Sequence, residues 1–137
     1  MSTQSYIEAL ENSQPIFDKD HLSVVLDNPD TLILIDFYEL FLEQVVQLRK
    51  DIINYSKPYD CQLIEQTAHK FKSSSRSVGA FLMADIMNTI EETAKDGFEE
   101  TLDEQLLQLT EICGITELSI RKEIADHKSL VRSNSQN

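Results

Sequence analysis

The sequence is poor in residues that interrupt regular secondary structure. Its 137 residues include three glycines, three prolines and no tryptophan. Sheet proteins need turn residues about every 8–12 positions, and this chain does not supply them. The scarcity argues against a sandwich or barrel and favours an all-α protein.

Basic residues are also few. Twelve Lys and Arg stand against 24 Asp and Glu, which gives a formal charge of -12. General nucleic-acid binders present a net basic face to phosphate, and anionic membranes attract basic surfaces. The balance therefore predicts no nucleic-acid partner and no membrane partner.

Long apolar runs are missing as well. No stretch approaches the ~20 apolar residues of a membrane span. The first residues, MSTQSYIEALENSQ, have no basic start followed by an apolar run, so no signal peptide is expected. Cys61 and Cys113 fall within apolar patterns, which indicates free buried thiols in a reducing compartment. We expect a cytoplasmic protein.

Between the few glycines and prolines, apolar residues recur at helical spacing. The pattern predicts short helices over 3–12 and 18–27 and four long helices over about 31–55, 60–77, 80–95 and 102–127. Short connections favour an antiparallel up-down-up-down four-helix bundle, with the short N-terminal helices as a cover. We divide the chain into an N-terminal extension (1–17), the bundle (18–127) and a disordered tail (128–137).

The same spacing assigns the side chains that face the core. The inward stripe of the first long helix is predicted to be Leu34, Phe37, Phe41, Val45, Leu48, Ile52 and Tyr55. The short helix before it should bury Leu22, Val25 and Leu26. Gly79 lies where the second long helix must stop, a usual place for glycine.

The motifs of common enzyme sites are absent from the sequence. We find no glycine-rich phosphate loop, no His-Glu-x-x-His, no paired Cys-x-x-Cys and no Gly-x-Ser-x-Gly. The Glu-x-x-His pairs of di-iron bundles are also missing. The sequence therefore predicts no ATP site, no metal site and no enzymatic activity of its own.

One stretch, AHKFKSSSRSVGA over residues 68–80, is unusual in this acidic chain. On a helix, the positions three, four and seven residues after His69 share its face, and they hold Lys72, Ser73 and Arg76. Together with Lys70 they form a local positive island. A solvent-facing imidazole is a nucleophile near neutral pH, and nearby cations neutralise a phosphoryl group in transit. From spacing alone, an exposed histidine without a function is the alternative.

The stretch resembles the signature of histidine-containing phosphotransfer (HPt) domains. That signature is His-x-[Leu/Phe]-Lys-[Gly/Ser]-[Ser/Ala]-[Ser/Ala], then Gly-Ala, then an apolar helix ending in Leu/Ile-Glu. The matching residues are His69, Phe71, Lys72, Ser73, Ser74, Ser75, Gly79, Ala80, Ile90 and Glu91. The resemblance extends over about residues 18–127, and its specific motif occupies 68–91.

The resemblance implies a role for each matched residue. His69 corresponds to the phosphoacceptor, modified at Nε2, and Lys72 to the residue that steers the phosphoryl group. Glu91 corresponds to the residue that accepts a hydrogen bond from the other ring nitrogen and orients the ring. Ser73 replaces the commoner glycine, which leaves more room for a partner. The residues expected to contact a partner are Lys70, Ser73, Arg76 and Gly79.

The function implied by the resemblance is that of a phosphorelay intermediate. Such a protein accepts a phosphoryl group from the aspartate of one receiver domain and passes it to another. The partners would be receiver domains of response regulators and hybrid histidine kinases, and Mg²⁺ would be bound by the receiver, with no cofactor in this chain. We expect a monomer. The alternative is an adaptor bundle that binds and inhibits a receiver or kinase without phosphotransfer.

Overall fold

The computed structural model describes residues 15–135, and these form helices without any strand. The helices are α1 (His21–Val25), α2 (Thr31–Ile53), α3 (Cys61–Val78), α4 (Phe81–Asp96) and α5 (Glu99–Ser135). The all-α prediction is confirmed. The predicted helix over 3–12 lies outside the described residues.

The four long helices form one bundle. Each packs against two others, in the cyclic order α2, α3, α4, α5, and α1 packs against α3. Short loops join successive long helices, so neighbours run antiparallel as predicted. Fully buried side chains from all four meet in the centre, among them Val45, Ala68, Leu82, Ile86 and Ile120. Each large aliphatic side chain buried there contributes about 1.5–3 kcal/mol.

Gly79 separates α3 from α4 and permits the tight turn between them. Its φ is +89°, and its N–H donates to the carbonyl of Arg76 over 3.2 Å. The N–H of Asp18 donates to the Gly79 carbonyl over 2.8 Å, and a Cβ on Gly79 would lie 2.5 Å from the carbonyl oxygen of Asp18. The prediction that Gly79 contacts a partner is therefore wrong: the residue is buried beneath the segment that leads into α1.

The inward stripe of α2 matches most of the predicted one, but Ile35 is also buried, and Tyr55 lies beyond the end of the helix and is only partly buried. Phe37 is 43% exposed, whereas the adjacent Tyr38 is fully buried. The Tyr38 hydroxyl donates to the carbonyl of Lys19 over 3.3 Å, and its ring meets Phe17 edge-on. Contact with the N-terminal segment thus selects Tyr38 for the core. In α1, Leu22 is buried as predicted but Val25 is exposed.

The last helix continues past its predicted end at His127 to Ser135. The expectation of a disordered tail is thus incorrect for residues 128–135. Two tertiary contacts account for the difference: Lys128 Nζ lies 2.9 Å from Glu39 Oε1 on α2, and Val131 packs against the core. Within residues 15–135, no helix has the length and hydrophobicity that crossing a membrane requires.

Candidate functional site

The tight turn at Gly79 sets which residues of α3 and α4 face each other. Because the two helices run antiparallel from this turn, residues equally distant from Ala80 in the sequence lie opposite each other. His69 and Glu91 are each eleven positions from Ala80, and Lys72 and Asn88 are each eight positions away. The turn therefore brings two parts of the sequence signature together across one helix pair.

The His69 ring is held through one of its two nitrogens. Nδ1 lies 2.6 Å from Glu91 Oε1. A carboxylate can only accept, so Nδ1 carries the proton and donates, and in the neutral ring Nε2 then keeps its lone pair. The His69 side chain is 67% exposed, and Nε2 makes no hydrogen bond to the rest of the described chain. The arrangement aims an unprotonated nitrogen at solvent.

Lys72 completes the cluster from the other side of the carboxylate. Its Nζ donates to Glu91 Oε2 over 2.6 Å and lies 3.4 Å from Asn88 Oδ1. Lys72 is only 17% exposed and Glu91 13%, so the pair is largely shielded from water. Each oxygen of Glu91 thus has its own donor. The sequence predicted Lys72 on the open face beside His69, but its ammonium turns toward α4.

Glu91 is a stable anion in this setting. The Lys72 hydrogen bond is the largest influence on its pKa and lowers it, burial opposes this, and the His69 hydrogen bond adds to the lowering. The net effect holds the pKa of Glu91 below its ordinary value of 4.5. The carboxylate is therefore ionised at neutral pH and available to accept from both neighbours.

Asn88 is the member of the cluster that the sequence analysis missed. It is half-buried on α4, one turn before Glu91, and its amide oxygen faces the Lys72 ammonium. An asparagine within an apolar helix matches no motif. The available signal was positional, since Asn88 is as far from the turn as Lys72 is.

The other predicted partner-binding residues lie on the outside of α3. Lys70, Ser73 and Arg76 are all exposed. The hydroxyls of Ser74 and Ser77 donate back to carbonyls of their own helix, over 3.3 and 3.0 Å. These small side chains therefore lie close to the helix backbone and do not project from the surface beside His69. Contact of these residues with a partner stays a prediction.

Large exposed apolar side chains are concentrated on a different part of the bundle. Half of those found in the described chain lie on α1 and the first half of α2: Val24, Val25, Leu32, Ile33, Phe37 and Leu40. We call these six residues the α1–α2 apolar surface. Two of the six, Val25 and Phe37, had been predicted to face the core from the helical pattern, so this surface was not apparent from the sequence.

Comparisons with known proteins give the family and the fold of the chain. The family model of the Hpt domain matches residues 36–126. The crystal structure of histidine-containing phosphotransfer protein B from Pseudomonas aeruginosa PAO1 superposes with a TM-score of 0.63 at 23% sequence identity, covering 82% of this chain and 96% of that one. No curated protein sequence matches the chain.

The chain therefore belongs to the Hpt domain family. Hpt domains are phosphocarriers, not kinases, and they act with receiver domains in phosphorelays. The protein is accordingly a phosphotransfer protein of two-component signalling.

Proposed function

We propose that this protein is a relay intermediate that takes a phosphoryl group onto His69 Nε2 from one receiver aspartate and delivers it to another. The observation that carries the proposal is the 2.6 Å hydrogen bond from His69 Nδ1 to Glu91, with Nε2 left exposed and unpaired among the described residues. This bond fixes the tautomer that a nucleophilic histidine requires.

The transfer step follows from that tautomer. The Nε2 lone pair attacks the phosphorus of the receiver's aspartyl phosphate, and the bond from phosphorus to the aspartate oxygen breaks, with its electron pair leaving on the carboxylate. The Nδ1 proton stays in place, so the phosphorylated ring carries a positive charge beside the Glu91 anion. The reverse step returns the phosphoryl group to the aspartate of a second receiver.

The receiver would supply the rest of the chemistry. Its acidic pocket and the Mg²⁺ bound there would neutralise the phosphoryl group in flight, as is general for phosphoryl transfer. This chain would supply an aimed nucleophile and positive charge, chiefly from the exposed Lys70 and Arg76, since the ammonium of Lys72 is paired with Glu91. The sequence offers no ATP-binding motif, so the protein would depend on a receiver as donor.

Docking would combine two features of the surface. The exposed cations Lys70 and Arg76 suit an acidic receiver pocket, whereas the overall charge of -12 opposes approach. The α1–α2 apolar surface lies on α1 and α2, both of which pack against α3. Transient complexes bury modest interfaces with an apolar centre and a polar rim.

The proposal is tested by following label in both directions. The protein is incubated with a panel of receivers phosphorylated on aspartate, and the label is tested for the acid lability and base stability of phosphohistidine. The labelled protein is then mixed with a second, unlabelled receiver. Transfer onto and off histidine is expected for at least one donor and acceptor pair. Stable receiver binding without any label on histidine would instead identify the adaptor function and reject the relay.

A further inference from the structure

The carboxylate of Glu91 also influences how many protons the His69 ring carries. An anion 2.6 Å from an imidazole favours the doubly protonated, cationic ring. In that form Nε2 carries a hydrogen and has no lone pair to attack phosphorus. A lone glutamate at this distance would thus orient His69 and at the same time reduce the fraction of rings able to react.

The position of Lys72 offsets this effect. Its ammonium lies 2.6 Å from the second oxygen of the same carboxylate, and both side chains are more than four-fifths shielded from water. Shielded pairs are weakened by salt far less than exposed ones. By donating to the second oxygen, Lys72 therefore draws negative charge away from the oxygen that accepts from His69 Nδ1, while the hydrogen bond to Nδ1 remains.

Other charged groups near the ring do not take over this role. His69 and its partner Glu91 lie on α3 and α4, and the other charged residues that flank these two positions in the sequence are Glu65, Lys70, Arg76, Glu92 and Lys95. Within the described chain, Glu91 is the ion-pair partner of the His69 ring. The protonation of the His69 ring thus depends on what else the Glu91 carboxylate binds.

We propose that Lys72 acts as a positioning residue that keeps the His69 ring neutral by occupying the second oxygen of Glu91. This role differs from the steering of the phosphoryl group that the family resemblance implies, because it operates before any receiver binds. It rests on the proposed function only for its consequence on transfer; the protonation of the ring is a property of the free protein.

The first test measures ring protonation without any phosphotransfer. The His69 ring signals of the full chain are titrated by NMR in the natural protein, Lys72→Met and Lys72→Arg, with Lys70→Met as a control for the loss of a neighbouring exposed cation. Lys72→Met should raise the midpoint of the His69 titration by about one pH unit. Lys72→Arg should restore most of the difference, and Lys70→Met should have a much smaller effect because that side chain is exposed.

A double variant identifies the route of the effect. If Lys72 acts through Glu91, Lys72→Met should not shift the midpoint when Glu91→Gln is already present. An equal shift in both backgrounds would mean that Lys72 repels the ring directly, and it would overturn the proposal. No shift in Lys72→Met alone would also overturn it. Far-UV circular dichroism checks that each variant keeps its helix content.

A second readout separates the two roles of Lys72 in transfer. The rate of phosphoryl transfer from a fixed receiver is measured against pH for the natural protein and Lys72→Met. If Lys72 sets the protonation of the ring, the rising limb of the pH profile should move to higher pH in Lys72→Met by about the shift found in the NMR titration, and any loss of steering should appear separately as a lower plateau. A plateau that falls at every pH, without displacement of the limb, would assign steering alone. If the natural protein takes no label, the relay fails while the titration result stands.

Discussion

Two clusters in this protein place a carboxylate between two donors, and only one of them looks like a reactive site. In the first, Glu91 accepts from His69 and Lys72 across α3 and α4. In the second, Asp103 on α5 accepts from the Tyr59 hydroxyl and pairs with Lys57, both in the loop between α2 and α3. The pKa of Asp103 is lowered, first by the Lys57 hydrogen bond and then by that of Tyr59.

The clusters differ in whether a donor residue keeps a second reactive atom free after it has donated to the carboxylate. Tyr59 donates its one hydroxyl proton to Asp103, and its backbone N–H donates to Glu99 over 2.8 Å, so the second cluster fastens the loop to α5. His69 has two ring nitrogens and gives only Nδ1 to its carboxylate. A shared carboxylate alone is thus no sign of function. What marks a site is a donor that keeps a second reactive atom open to solvent.

They also differ in their access to water. The side chain of Asp103 is 40% exposed, against 13% for Glu91. Exposed pairs are screened by water and ions and contribute little to stability. The first cluster should therefore keep its geometry in conditions that loosen the second.

The largest expected effect comes from removing the free nitrogen. His69→Gln should abolish histidine phosphorylation completely, whereas Tyr59→Phe, which removes one donor of the second cluster, should leave it unchanged. The His69 side chain points into water, so His69→Gln should change the free energy of unfolding by less than ~0.5 kcal/mol. Label transfer from a phosphorylated receiver and urea unfolding measure the two quantities. Acid-labile label on His69→Gln would place the acceptor elsewhere.

The next effect in size comes from removing the shared carboxylate. Glu91→Ala should slow transfer about 10–100-fold, since the ring loses its orientation and its fixed tautomer but keeps its nucleophile. Asp103→Asn is the matched change in the second cluster and should leave the transfer rate unaltered. Single-turnover transfer rates at saturating receiver give the comparison. Equal rates for Glu91→Ala and the natural protein would show that the hydrogen bond to Nδ1 is not needed.

The two clusters also show how far sequence reasoning reaches. The family resemblance implied that His69 and Glu91 meet, and the structure gives the reason: one tight turn at Gly79 fixes the register of α3 and α4. No comparable rule connects Lys57 to Asp103, which belong to a loop and to a helix far along the chain. Asn88 was missed for a different reason: its contact with Lys72 follows from the register of the two helices, but no residue of the family signature corresponds to it.

The fold was predictable to a similar degree. Helical spacing predicted the four long helices, but it could not choose between Phe37 and Tyr38, which are neighbours in the sequence and both aromatic. Contact with Phe17 and Lys19 decided for Tyr38. The end of α5 was misjudged because its last turns are polar, and the interactions that stabilise them, such as Lys128 with Glu39, join distant parts of the chain.

A smaller effect should come from the exposed cations. Arg76→Ala should lower the association rate with a receiver by a few-fold at low ionic strength, through loss of local attraction near His69, and the effect should fade as salt is added. Lys57→Ala removes a cation from the second cluster and should not slow association. Stopped-flow binding at two ionic strengths measures both. Equal losses at low and high salt for Arg76→Ala would point to shape complementarity as the source of recognition.

The smallest effects are those of acid and salt on stability, and they compare the two carboxylates directly. Both have a lowered pKa when folded, so each stabilises the protein above the ordinary pKa of its side chain (4.5 for Glu91, 3.8 for Asp103), and this contribution is lost as the pH falls through the lower folded value. The difference in unfolding free energy between the natural protein and Glu91→Gln should thus be constant near neutral pH and shrink below about pH 4. The Asp103→Asn difference should shrink in the same direction.

Added salt at neutral pH should distinguish the two clusters. It should diminish the Asp103→Asn difference, because that cluster is exposed, and leave the Glu91→Gln difference largely unchanged. Urea unfolding at neutral and acidic pH, with and without salt, measures how each of the two differences changes with pH and with salt. An equal sensitivity to salt would mean that shielding does not distinguish the two clusters, and that the geometry around His69 is no better protected than a surface loop contact.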